Sequence, residues 1–179
     1  MNILKSWYQR VIRVDSVYKI NISNSLQLPK ISHATLNICS KSIVEDPKSI
    51  LYFMIALKLI TCQVPIVCKA KKSIATFKIR KGILLGSKVT LRNNSLSNFL
   101  NLFIFLVLPN VKELKSYKLT KGCLSIGISD LLIFPQLAKY YDKFPKNITC
   151  IVNLNINTRD ESFSRYLFTS LQLPVKKSI

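Results

Sequence analysis

Hydrophobic and polar positions alternate along this chain in two distinct periods, and the places where the period changes mark out its elements. From Met1 to Ile20, the residues Ile3, Leu4, Trp7, Tyr8, Val11, Ile12 and Val14 recur at intervals of one, three and four, which predicts an amphipathic helix. Ile31 to Cys39 reads as a strand. Pro47 to Thr61 reads as a helix, with Asp46 placed to cap it and Pro47 as its first helical residue. Pro65 to Lys69 is a short β-branched strand. Ser87 to Arg92 alternates strictly, with Val89 and Leu91 on one face and Lys88, Thr90 and Arg92 on the other. Ser97 to Val107 predicts a further helix, Lys112 to Lys121 a basic loop, Cys123 to Ile128 and Asn147 to Asn155 strands, and Glu161 to Leu171 a last helix. The sum is an α+β fold, a mainly antiparallel sheet of about five strands with helices packed on one face.

Between the strands ending at Lys69 and beginning at Ser87, the segment Ala70 to Gly86 has no long apolar periodicity. It holds two of the four glycines, Gly82 and Gly86, and interleaves Lys and Arg with Phe77 and three isoleucines. Such a stretch predicts a long basic loop projecting from the sheet. A length of 179 residues suits a single domain, 1–179, with a sizeable core, and 49% hydrophobic content argues against disorder. The apolar runs Ile50 to Ile60 and Leu100 to Leu108 fall short of the roughly 20 residues a membrane span needs. Lys58 and Asn101 interrupt them, so they read as core helices and no membrane insertion is expected. The N-terminal helix is poor in acids but lacks the Arg- and Ser-rich character of a transit peptide, so it reads as part of the fold.

Charge adds a partner to this picture. Lys and Arg number 27 against 8 Asp and Glu, a formal net charge of +19. Eight basic residues lie between Lys69 and Arg92, and no acid occurs from Pro47 to Lys112. Clustered cations gain affinity for phosphates through counterion release, while Ser73, Thr76, Thr90 and glycine amides are suited to hydrogen-bond phosphate or ribose. Charge alone leaves a solvated basic face and a peripheral membrane surface open beside nucleic acid.

Other chemistries find little to build on. The five cysteines, Cys39, Cys62, Cys68, Cys123 and Cys150, are scattered without a C-x-x-C pair, and His33 is the single imidazole, so neither metal nor other cofactor is expected. There is no G-x-x-x-x-G-K-[ST] and no G-x-G-x-x-G, and the acids that could serve a metal-dependent enzyme (Asp15, Asp46, Asp130, Asp160) are dispersed. A non-enzymatic binding protein is the expectation. His33 reads as a surface or RNA-facing residue.

The order of residues narrows the class further. Ala70-Lys71-Lys72-Ser73-Ile74-Ala75, Phe77-Lys78-Ile79-Arg80-Lys81-Gly82 and Gly86-Ser87-Lys88-Val89-Thr90-Leu91-Arg92 stand in sequence. Upstream are Leu28-Pro29-Lys30-Ile31 and Thr35-Leu36-Asn37; downstream are Leu108-Pro109, Ser125-Ile126-Gly127-Ile128, Ile133-Phe134-Pro135 and Leu173-Pro174. In this order and spacing, over nearly the whole chain, the sequence resembles the universal ribosomal protein of the large subunit that binds 5S ribosomal RNA, called L-five in the bacterial naming.

The resemblance implies a structural constituent of the large ribosomal subunit. Family members pack on 5S ribosomal RNA and the central protuberance of the large-subunit RNA, approach the elbow of P-site transfer RNA with the basic loop, and touch a small-subunit head protein across a bridge. Carried over by position, it assigns Asn37, Lys69, Lys88, Thr90 and Arg92 to ribosomal RNA, and Lys71, Lys72, Ser73, Lys78, Arg80 and Lys81 to the loop near transfer RNA. The alternative is a free-standing RNA-binding or RNA-remodelling protein. Departures are few: Cys62, Cys39 and Thr76 stand where the family often has glycine, another glycine is missing near Lys146-Asn147, and Gln136 replaces an acid. Abundant Ile, Lys and Asn with little Gly is what AT-rich codon usage favours, which fits a mitochondrially encoded member, with a plastid or a bacterial cytoplasm as alternatives.

Overall fold

Among the described residues, six strands form one hydrogen-bonded sheet in the computed structural model, one more than the pattern suggests. They are β1 (Ile31–Cys39), β2 (Ile66–Lys69), β3 (Leu84–Leu91), β4 (Leu119–Thr120), β5 (Cys123–Ile128) and β6 (Cys150–Ile156), in the order β2-β3-β1-β6-β5-β4. The pairs β2–β3 and β4–β5 are antiparallel. The helices are α1 (Ile3–Trp7), α2 (Arg13–Ile20), α3 (Ser42–Glu45), α4 (Ile50–Thr61), α5 (Asn93–Leu102), α6 (Pro135–Ala138) and α7 (Glu161–Ser170). The structure describes residues 3–20, 22, 24–40, 42–111, 117, 119–145, 148–158 and 160–176. The class is α+β, as the periodicities imply. No described helix is long and apolar enough to cross a membrane.

The contacts group into two compact units, one of Met1–Ala34, Leu91–Ile126 and Asn153–Ile179, the other of Thr35–Thr90 and Gly127–Val152. In the first, a π-helical turn (Tyr8–Ile12) joins α1 to α2, and a second (Phe103–Val107) extends α5. The Leu4 amide donates to Asn101 Oδ1 at 3.1 Å, and the Tyr8 hydroxyl to the Pro29 carbonyl at 3.0 Å. Phe99 and Phe103 stack at 5.4 Å, in a unit that also buries Leu96, Leu100, Leu167 and Phe168. In the second unit, α4 buries Phe53, Leu57 and Ile60, α6 buries Leu137, and β1 contributes Leu36 and Ile38. A buried aliphatic or aromatic side chain contributes about 1.5–3 kcal/mol through removal from water, which is why these faces set the layer.

Several boundaries differ from the pattern, each for a local reason. The Asp46 side chain makes no capping bond; its carbonyl instead accepts from the Ser49 amide (3.0 Å) and hydroxyl (2.7 Å), closing a 3-10 turn over Pro47–Ser49 before α4 starts. Helix α5 begins at Asn93, four positions before Ser97, because polar Asn93, Asn94 and Ser95 form its exposed first turn and carry no apolar signal. The sixth strand, β4, is two residues long and lies inside the stretch read as a basic loop, too short for an alternation to register. Residues 112–116 and 118 of that loop, and Lys146 and Asn147, lie outside the described residues. Strand β6 starts at Cys150, after Ile148 and Thr149 in irregular backbone.

Candidate nucleic-acid interface

Strand β3 separates its charges from its core by alternation alone. Ser87, Val89 and Leu91 are buried, Lys88 is exposed and Thr90 half-buried, as period two requires of a strand with one covered face. Arg92 follows in extended backbone (φ −138°, ψ 161°), exposed, and continues the same alternation up to α5. On β1, Asn37 is half-buried between Leu36 and Ile38, both fully buried, and so points away from the core.

Strand β2 runs antiparallel to β3 with Ile66 opposite Lys88 and Cys68 opposite Gly86. Between Cys68 and Lys69 the register shifts, so Lys69 faces Leu84 and Leu85 is the extra residue of a bulge. Gly86 is what lets β3 lie against β1 here: a Cβ on it would drive into the Ile38 carbonyl oxygen and come within 2.7 Å of Cys39 Sγ. Burial and, secondarily, the neighbouring Cys68 push the Cys39 thiol above its ordinary pKa, so it stays a neutral small side chain at physiological pH. Both thiols are free.

The segment expected as a loop to Gly86 is shorter and more ordered than its sequence suggests, since β3 already begins at Leu84. Ala70 and Ile83 (2.8 Å) and Gly82 and Ala70 (3.0 Å) bond across its base; Ile74 and Ile79 exchange two bonds (2.9 and 3.1 Å) higher up. The Lys81 amide donates to Ser73 Oγ at 3.1 Å. Ala75–Phe77 form a 3-10 turn, and Lys78 closes it in the left-handed region at φ 56°. The segment is therefore a hairpin with its own ladder. Lys71, Lys72, Ser73, Lys78, Arg80 and Lys81 are all exposed along it.

Electrostatics leaves these cations available. Among the described residues, none of Lys69, Lys71, Lys72, Lys78, Arg80, Lys81, Lys88 or Arg92 pairs with an acid; the ion pair present joins Lys19 and Asp15 at 3.4 Å in α2. Unscreened by partners of opposite sign, they set up a positive field that a polyanion neutralises.

Two apolar residues on this surface escaped the charge-based reading. Ile66, 65% exposed, sits on the open face beside Lys88, and Phe77, 61% exposed, lies at the hairpin tip, while Ile79 is half-buried below it. The signal was present in the sequence as a lone aromatic inside a basic run, where burial is the commoner role.

His33, read as surface or RNA-facing, is half-buried and tied into β6. Its Nδ1 lies 2.9 Å from Ser32 Oγ and its Nε2 3.1 Å from Asn155 Nδ2, while the Ser32 hydroxyl donates to the Asn155 carbonyl at 3.0 Å. The amide of Asn155 donates to Nε2, which places the imidazole proton on Nδ1 toward Ser32. Cys150, at 0% exposure, has its thiol pushed up to about 12, chiefly by burial. Among the described residues no group of three or more His, Cys, Asp or Glu is positioned to hold a metal ion.

The family models divide the chain at the entry to β3. One described as "Ribosomal protein L5" matches residues 24–80, and a second, describing the C-terminus of the same ribosomal family, matches residues 84–175. Over 181 aligned residues the chain is 40% identical to the large ribosomal subunit protein uL5m of Reclinomonas americana, covering 99% of this chain and 100% of that protein. It is 32% identical to the large ribosomal subunit protein uL5 of Helicobacter pylori (strain HPAG1) over 178 residues, 97% of each. The basic hairpin and the β3 alternation thus stand within an end-to-end likeness, and the chain belongs to the ribosomal protein L5 family.

Proposed function

We propose that this protein is a structural constituent of the large subunit of a mitochondrial ribosome, binding ribosomal RNA and neighbouring ribosomal proteins without performing chemistry. The observation that carries this reading is the set of exposed cations, unpaired by any described acid, on the open face of β3 and along the 70–83 hairpin. The names of two full-length relatives, one of them a uL5m, supply the assembly and the compartment. A likeness that covers 100% of one relative and 97% of the other supports reading 1–179 as one ribosomal-protein domain.

Within that role, Asn37, Lys69, Lys88, Thr90 and Arg92 form the ribosomal-RNA surface, with 5S RNA as its partner where the ribosome retains one. Lys71, Lys72, Ser73, Lys78, Arg80 and Lys81 form the element near P-site transfer RNA. A small-subunit head protein is the partner across the bridge. A hairpin held by its own ladder and contributing no large buried side chain is free to serve reach and charge, while the sheet face anchors.

Sedimentation tests the reading. The protein should travel stoichiometrically with mitochondrial large subunits through a gradient at moderate salt, and ultraviolet crosslinks from the β3 face should map to ribosomal RNA, 5S RNA included. Release from the subunit under those conditions would favour a free-standing RNA-binding protein.

A further inference from the structure

The N-terminal helical run has two apolar faces, and the fold consumes one. Leu4, Ile12 and Ser16 are buried, with Tyr8 half-buried beside them. On the other side, Ile3, Trp7, Val11, Val14 and Tyr18 follow one another at intervals of four, four, three and four, a stripe about 22 Å long at 1.5 Å per residue. Ile3 is 63%, Trp7 49% and Tyr18 83% exposed, and Val14 and Val17 are exposed as well. Beside Trp7 the surface dips into a groove of about 210 Å³ whose walls include Ile3, Leu4, Trp7, Ile104, Phe105 and Leu171. The π-helical turn Phe103–Val107 supplies Ile104 and Phe105 to its wall, and another, Tyr8–Ile12, begins at the residue after Trp7. Turns of this kind are rare and recur at functional positions.

Charge runs along one edge of the stripe. Arg10 lines a depression with Ile3, Ser6, Trp7 and Val11, and Arg13 lies one turn further. Both are exposed, and neither pairs with an acid among the described residues; Asp15, the one acid of the run, is engaged by Lys19.

We propose that this second face, with the groove beside Trp7, seats an amphipathic helix of another protein, apolar along one stripe and carrying Asp or Glu on the flank that meets Arg10 and Arg13. An exposed apolar stripe rimmed by charge is the form of a helix-binding surface. The lining argues against RNA as occupant. The groove walls carry no cation for phosphate, and although Trp7 and Tyr18 could each stack a base, they stand eleven positions apart with only Val11 and Val14 on the stripe between them, a continuous apolar strip that matches a helix face better than spaced bases. The Arg edge selects an acidic flank over a basic one.

The chain's sole tryptophan is Trp7, so its fluorescence reports this face directly. The full-length protein is titrated with a helical peptide of about 18 residues, matched to the stripe at 1.5 Å per residue, with Leu at three- and four-residue spacing and Glu on its flanks. A saturable blue shift is expected. The same peptide with Lys flanks, and a scrambled peptide of identical acidic composition, should give none. Arg10→Glu with Arg13→Glu should weaken binding roughly tenfold through lost and reversed edge charge. Val14→Asp, at an exposed position, should abolish the shift with an unchanged circular dichroism spectrum. An equal shift from the scrambled peptide overturns the proposal, since net charge would then explain it. So does a shift produced by oligouridine or by cardiolipin–phosphatidylcholine vesicles and not by the peptide, which would assign the face to RNA or to lipid.

Discussion

Replacing Lys88 and Arg92 together by alanine removes two cations from the open side of β3 while leaving Ser87, Val89 and Leu91 in the core. Neither side chain is buried and neither pairs with an acid among the described residues, so the fold should not register their loss. Binding should. Each phosphate contact contributes about 0.9 to the slope of log affinity against log salt on a duplex and about 0.7 on single strands, so two contacts amount to about 1.4–1.8. Over a fourfold rise in salt, from about 50 to about 200 mM, the gap between wild type and variant should close by about tenfold. The assay is filter binding or fluorescence anisotropy on a ribosomal RNA fragment at several salt concentrations, with melting temperature measured in parallel. Lys48→Ala with Lys58→Ala, two exposed lysines of the helical layer, serves as comparator and should leave the slope nearly unchanged. Parallel wild-type and Lys88/Arg92 lines in a folded variant would refute the assignment of this face to RNA.

Lys72→Ala with Lys78→Ala should leave incorporation into the subunit nearly intact and reduce P-site transfer-RNA retention in a graded, salt-sensitive way, because both lie on an exposed hairpin; failure to enter the subunit would make the hairpin an assembly element. Gly86→Ala should cost about 1–3 kcal/mol by overpacking, since its Cβ meets backbone of β1 that has little room to yield, and a differential scan should show Tm lowered by several degrees. Cys62→Gly should raise stability by about 0.5 kcal/mol: Cys62 ends α4 at φ 55°, where a side chain costs roughly 1–2 kcal/mol, partly offset by the entropy glycine loses on folding. Cys62→Ala should leave the melting temperature unchanged, which separates backbone conformation from thiol chemistry.

The missing glycines show how far local sequence reaches. Cys62 stands where the family often has glycine, and the backbone keeps the left-handed turn regardless, with its amide bonded to the Lys58 carbonyl at 2.8 Å. Lys78, Asn93, Lys121 and Gln172 likewise hold positive φ without being glycine. Local preference disfavours a left-handed backbone at such residues, because glycine alone adopts it without a steric penalty. Packing of the flanking elements overrides that preference, since a strain of roughly 1–2 kcal/mol is small beside the burial of one helix face.

By itself the sequence determined whatever depends on period and on charge. The alternation Lys88-Val89-Thr90-Leu91 can only place cations and core on opposite sides of a strand, and an acid-free stretch from Pro47 to Lys112 can only present a positive surface. The order of the basic motifs carried the family as well. Tertiary structure decided whatever depends on a neighbour distant in the chain. Gly86 belongs to a strand because β1 passes too close for a Cβ, and Ala70 to Ile83 forms a hairpin because its two limbs satisfy one another's backbone groups. His33 is held by Asn155, 122 positions away. The N-terminal helix shows the division most plainly: its spacing predicts an amphipathic helix, but only the fold selects which of its apolar residues are buried, since Leu4 and Tyr8 find hydrogen-bond partners in Asn101 and Pro29 while Trp7 and Val14 remain open to water.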